Sequence, residues 1–107
     1  MAFDLVAHIR RQIGFSLETF GPVRGTKSVI DHIRKELIEI EEDPTDVCEW
    51  IDVIILALDG AWRSGFTARE IVAALDAKQT KNELREWPDW RTADPDRAIE
   101  HVRGTHD

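Results

Sequence analysis

The chain has 107 residues, about the size of one domain, so a single unit spanning 1–107 with one hydrophobic core is expected. Asp and Glu total 21 against 14 Lys and Arg, and the net charge of -7 argues against stable binding to nucleic-acid phosphates. It leaves open an anionic substrate carried by divalent cations, which invert the local charge balance. Cys48 has no partner for an internal disulfide and reads as a small buried residue in a reducing, cytoplasmic compartment. Residues 1–13 mix Asp4, His8, Arg10 and Arg11 with apolar residues, so neither a signal peptide nor a membrane span is expected there.

The first predicted helix runs from about Ala2 to Ile13, with Leu5, Ile9 and Ile13 on one face. A loop is expected next, carrying Gly14, Gly21, Pro22 and Gly25, with Phe15 and Phe20 anchoring it to the bundle. A second helix opens near Thr26 to Ser28 and reaches Glu42. Val29, Ile33, Leu37 and Ile40 make its apolar stripe, and its other face is acidic. Asp43-Pro44-Thr45-Asp46 reads as a restart in which Asp43 caps and Pro44 takes the first helical position. The third helix continues through Val47, Ile51, Ile54, Ile55 and Leu58 to about Arg63. Thr67-Ala68-Arg69-Glu70 is a capping box for a fourth helix, which stops before Pro88. Asp94-Pro95 is expected to open a short tail helix through Ile99 and Val102, closed by Gly104. No period-2 run competes with these helices. The fold class is therefore all-α, a four-helix-bundle-like architecture with a short C-terminal helix. So small a chain, rich in aliphatic residues and with four tryptophans, is expected to bury surface against further copies as a homodimer or homotetramer.

Two carboxylate couples carry the chemistry: Glu36 and Glu39 on the second helix, and Glu49 and Asp52 on the third. Each is spaced i, i+3, so its two members share one helical face. A short turn between the helices allows the couples to meet. Four carboxylates at one level repel unless cations lie between them, and hard oxygen ligands suit magnesium or manganese. An i, i+3 acidic pair alone is usually a solvated face. Two couples on consecutive helices, close to the apolar stripes, favour a metal site, since carboxylates near a core need partners.

In these positions the chain resembles the MazG-like all-alpha nucleoside triphosphate pyrophosphohydrolases, whose signature is ExxE followed at a short distance by ExxD. The resemblance is closer still to the phage and bacterial dATP/dGTP diphosphohydrolase branch. It runs through Thr19-Phe20-Gly21-Pro22, Asp31-His32-Ile33-Arg34-Lys35-Glu36-Leu37, Glu49-Trp50-Ile51-Asp52, and Lys78-Gln79-Thr80-Lys81-Asn82 with Trp87-Pro88. The spacer between Glu39 and Glu49 is shorter than in many MazG proteins, which implies a tight turn. The resemblance implies Mg2+- or Mn2+-dependent hydrolysis of a nucleoside triphosphate, dGTP or dATP, between the α and β phosphates. Water attacks the α phosphorus and pyrophosphate leaves. Glu39 is the preferred general base among the four carboxylates.

Phosphate oxygens not covered by metal need cationic or amide partners, and the fourth helix offers Lys78 and Asn82 at i, i+4, with Lys81 and Arg85 on an adjoining strip. The resemblance makes Lys78 and Asn82 substrate contacts and adds Ser16 and Thr19, with the Gly21 to Gly25 segment expected to close over the nucleotide. His32, one turn before Glu36, is a substrate contact, the support of a ligand or a hydrogen-bonded structural histidine. His8, His101 and His106 show no ligand spacing. Trp50, Trp62, Trp87 and Trp90 are expected to pack rather than stack a base. Two other readings compete: the same chemistry on dUTP or a non-canonical nucleotide, and a non-catalytic helical interaction module with no metal dependence.

Overall fold

The computed structural model describes residues 2–104; His106 and the outermost ends of the expected domain lie outside the described residues. Among the described residues there are four α-helices and no strand: α1 (Leu5–Phe20), α2 (Thr26–Glu42), α3 (Val47–Arg63) and α4 (Ala68–Leu84), followed by a 3-10 turn at Trp90–Thr92. None of these helices is long and apolar enough to cross a membrane. The chain divides into two compact units, Met1–Ala73 and Ala74–Asp107, with the boundary inside α4.

In the first unit α1 is longer than the sequence predicts. Asp4 caps it by accepting from the N–H groups of Val6 and Ala7 at 3.0 and 3.3 Å, and the helix then passes Gly14 and ends at Gly21, whose φ is 78°. A lone glycine costs a helix only about 1 kcal/mol. The contacts of α1 with α3 offset that cost: Gln12 donates to the Ile55 carbonyl at 2.6 Å, and Ser16 donates to Asp59 at 2.5 Å. Phe15 and Phe20 are not anchors in a core. Both are exposed, and their rings meet each other edge-on.

These pairings also fix how the helices run. Residues 12 and 16 of α1 meet 55 and 59 of α3, so the two helices are parallel. A Cβ on Gly60 of α3 would lie 3.3 Å from Val29 of α2, while Glu36 and Glu39 approach Glu49 and Asp52, so α2 and α3 are antiparallel. Helix α3 packs against both others and is the hub of the unit. Ile9, Val29, Ile40, Leu56 and Ala68 are its buried apolar residues.

The turn between α2 and α3 differs in one respect from the expected restart. Asp46, not Asp43, caps α3, accepting from the Cys48 N–H at 2.9 Å. Asp43 instead ends α2, and its side chain accepts from the Thr45 hydroxyl at 3.0 Å. The Trp50 indole donates to the Pro44 carbonyl at 3.0 Å and holds the turn down. Cys48, expected to be buried, is exposed, because it stands on the first turn of α3. The buried faces are also displaced from the apolar stripes. Leu37, Ile51 and Ile54 are exposed, whereas Glu36 and Asp59 are buried.

At the start of α4 the capping box is formed, with the Thr67 N–H donating to Glu70 at 3.0 Å and the Glu70 N–H to the Thr67 hydroxyl at 3.1 Å. These bonds hold the Glu70 carboxyl below its ordinary range. In the second unit the predicted tail helix through Ile99 and Val102 does not form. Asp94 makes a single turn, accepting from the N–H groups of Asp96 and Arg97 at 2.9 and 3.1 Å. The chain then runs back without helical bonding, and the Val102 N–H reaches the Glu86 carbonyl at 2.8 Å. That long-range bond and the edge-on contact of Trp87 with His101 replace the local helix.

Gly14 lies inside α1 with open space around its Cα. Gly14→Ala should therefore raise stability to urea by about 0.5–1 kcal/mol through reduced freedom of the unfolded chain. No gain at this position would mean that the segment is not helical.

Candidate active site

The antiparallel pairing of α2 and α3, set by the turn at 43–46, places the two carboxylate couples at one level. One oxygen from each of Glu36, Glu39, Glu49 and Asp52 lies within 4.8 Å of the others. Glu36 is buried, Glu39 is exposed and Glu49 is half-buried. Glu36 Oε2 and Glu49 Oε2 are both shielded from solvent and have no hydrogen-bond partner. A buried polar atom in that state is costly.

The electrostatics follow from this crowding. Burial pushes the Glu36 carboxyl above its ordinary range; the hydrogen bond and charge of Glu39 and the charge of Asp52 add to the rise, and His32 opposes it. Glu49 is pushed up to about 7, first by a hydrogen bond shared with Glu39, then by burial and by the charges of Glu39, Asp46 and Glu36. No Lys or Arg makes an ion pair with any of the four among the described residues. The set is all hard oxygen, it repels itself, and two of its oxygens are unsatisfied, which fits a magnesium- or manganese-type cation.

A second buried carboxylate, Asp59, is satisfied in the opposite way. It accepts from Ser16 at 2.5 Å, from the Trp62 indole at 2.9 Å and from Arg63 at 3.0 Å, and Arg24 lies 3.6 Å away. Arg63 also donates to the Gly21 carbonyl at 2.8 Å and the Ser16 hydroxyl at 2.8 Å, tying the end of α1 to α3. Arg24, Asp59 and Arg63 were not singled out by the sequence reading. Asp59 and Arg63 at i, i+4 in the most apolar helix were a usable signal, since charged residues inside such a helix are seldom buried unless paired.

Other predicted site residues fall as follows. Ser16 is buried, with its hydroxyl donating to Asp59 and accepting from Arg63. Thr19 is exposed near the end of α1. His32 lies with Nε2 3.4 Å from Glu36 Oε1 and Nδ1 3.0 Å from Arg24. In the second unit Lys78 and Lys81 are exposed on α4, and the Asn82 side-chain carbonyl accepts from Arg85 at 3.1 Å. That bond leaves the Asn82 amide nitrogen as its donor end. The indoles of Trp50, Trp62 and Trp87 each donate to a neighbouring group, and Trp90 is exposed beneath the Arg91 guanidinium.

Residues 8–105 match the family model for dATP/dGTP pyrophosphohydrolase. The structure is similar to that of a cyanophage S-2L MazG-like pyrophosphohydrolase bound to dGDP and three catalytic Mn2+ ions per active site. The match has a TM-score of 0.71 and 29% identity, over 94% of this chain and 100% of that one. No curated protein sequence matches.

A carboxyl whose folded value is raised binds more protons folded than unfolded, so its effect is most favourable below the unfolded value and is lost as pH climbs through the folded one. For Glu49 that window runs from 4.5 to about 7. The metal-free protein should accordingly lose thermal stability as pH rises from 4.5 to about 7. Glu49→Gln should flatten the slope in a calorimetric pH series. An unchanged slope in that variant would remove Glu49 as its source.

Proposed function

The chain belongs to the dATP/dGTP pyrophosphohydrolase family, and from that premise we propose that Glu36, Glu39, Glu49 and Asp52 are its metal ligands and catalytic carboxylates. The reaction is hydrolysis of dGTP or dATP to the monophosphate and pyrophosphate. The observation that carries the assignment is the meeting of four carboxylate oxygens within 4.8 Å, two of whose residues keep a buried oxygen without a partner. The bound Mn2+ of the S-2L relative supports the same ion class here. When bound, divalent ions neutralise the triphosphate and make a nucleophilic water available at neutral pH.

The chain's own residues do the rest. Glu36, Glu49 and Asp52 hold charge at fixed positions on two helices. Glu39, the exposed neighbour of both Glu36 and Glu49, takes the proton from the attacking water at its carboxylate. Lys78 and the amide nitrogen of Asn82 contact phosphate oxygens, with Lys81 beside them, and Thr19 contacts the nucleotide. Residues 1–107 act as one catalytic domain in the cytoplasm, the host cytoplasm if phage-encoded. They work as a homodimer or homotetramer, supported by the exposed Leu37, Ile51 and Ile54 of the first unit and Leu84 of the second.

Substituting Glu36 and Glu39 separates their roles. Glu36→Gln should weaken Mn2+ binding severely in a calorimetric titration, whereas Glu39→Gln should retain most binding and lose turnover by about a hundredfold or more. Hydrolysis of dGTP in oxygen-18 water should label dGMP. Label confined to inorganic phosphate would place attack at the γ phosphorus and refute the assignment.

Lys78→Ala should lower kcat/KM by about tenfold to a thousandfold, corresponding to roughly 1.4 to 4 kcal/mol of lost transition-state stabilisation. Asn82→Ala should cost less, as a neutral donor to phosphate is the weaker one. Full activity in a folded Lys78→Ala protein would make α4 scaffold only.

A further inference from the structure

Glu36 is the most buried of the four carboxylates, and its two oxygens are not equivalent. Oε2 is shielded from solvent and unpartnered, whereas Oε1 lies 3.4 Å from His32 Nε2. The other ring nitrogen, Nδ1, is 3.0 Å from Arg24 Nη2. A guanidinium has only donors, so Nδ1 must be the acceptor and carries no proton. The ring proton is then on Nε2, facing Glu36.

Arg24 is itself held from several sides. Its Nη1 lies 3.6 Å from Asp59 Oδ2, its Nε donates to the Ser28 hydroxyl at 3.3 Å, and its guanidinium covers the Phe20 ring at 4.6 Å. With a side chain only 10% exposed, it has little freedom to leave His32. Asp59 is in turn fixed by Ser16, Trp62 and Arg63. An unbroken chain of polar contacts therefore runs from the buried Asp59, through a residue of the α1–α2 loop, to one carboxylate of the cluster.

We propose that Arg24, anchored by Asp59, is a positioning residue that fixes the tautomer of His32, so that His32 occupies Glu36 Oε1 and leaves Oε2 for the divalent ion. This rests on the reading of the four carboxylates as the ion site. His32 thereby supports a ligand and is not a substrate contact. The physical reason is general: a partner behind a ligand fixes its orientation, and losing such a partner typically costs 10–100-fold in metal affinity.

The test uses the full chain and two readouts. Long-range proton–nitrogen spectra of the metal-free, nitrogen-15-labelled protein should show the His32 proton on Nε2. In Arg24→Ala the ring should become a mixture of tautomers, and calorimetric Mn2+ affinity should fall about 10–100-fold. Should Arg24→Ala fail to fold, Arg24→Lys keeps a positive charge beside Asp59 but lacks the planar fork whose separate nitrogens face Asp59 and His32. It should fold and show both defects. His32→Gln, which carries an N–H at the place of Nε2, should bind Mn2+ within about threefold of wild type, while His32→Ala should not. A wild-type ring protonated on Nδ1, or wild-type affinity and tautomer in Arg24→Lys, overturns the proposal. If the wild-type chain binds no Mn2+ at all, the ion-site reading fails, and the spectra of the metal-free protein still decide whether Arg24 fixes the His32 ring.

Discussion

The first unit is organised around the electrostatic cost of keeping carboxylates among packed helices. An ionised carboxylate moved away from water needs hydrogen bonds and opposite charge, or it must take up a proton. Asp59 meets that need internally, surrounded by Ser16, Trp62, Arg63 and Arg24. Glu36 and Glu49 do not, and each keeps a buried oxygen unpartnered while its carboxyl is held above the ordinary range. The same cost is met from inside at one place and left unmet at the other.

Helix α3 links the two. Its Glu49 and Asp52 end faces α2 in antiparallel pairing, and its Asp59 and Arg63 end is locked to α1 in parallel pairing. Gly60 lets Val29 approach closely, which holds α2 against α3 at a level away from the cluster. Close packing there and a turn clamped by Trp50 at the other end leave little freedom for the register between α2 and α3. A shift of that register would carry the two carboxylate couples past each other. The polar network of Asp59 is thus more than a stabilising contact, because breaking a buried ion pair typically costs 3–5 kcal/mol and here would loosen the helix that bears half the site.

Much of this was legible in the residues themselves. The i, i+3 spacing of Glu36 with Glu39 and of Glu49 with Asp52, on helices joined by a short turn, is local information, and local helix geometry dictates that each couple shares a face. The bounds of α2, the end of α3 at Arg63 and the capping box at Thr67 are local in the same sense, since caps depend on residues three or four apart. Family membership was carried by the same spacing, read together with the order of motifs along the chain.

What tertiary structure decided is whatever depends on partners far along the chain. Helix α1 continues through Gly14 because Gln12 and Ser16 find partners 43 residues away, and no local rule weighs that gain against the glycine. The tail forms no helix because Val102 bonds to Glu86. The buried face of α2 includes Glu36 and excludes Leu37, a choice that hydrophobic periodicity makes the other way. The link from Asp59 through Arg24 and His32 to Glu36 joins α3, a loop and α2, and was invisible in a one-dimensional pattern. Sequence by itself determined which carboxylates share a helical face, through their chemistry and spacing. Only the packing of helices from distant parts of the chain determined which oxygens are buried, which are partnered, and which are left without a partner.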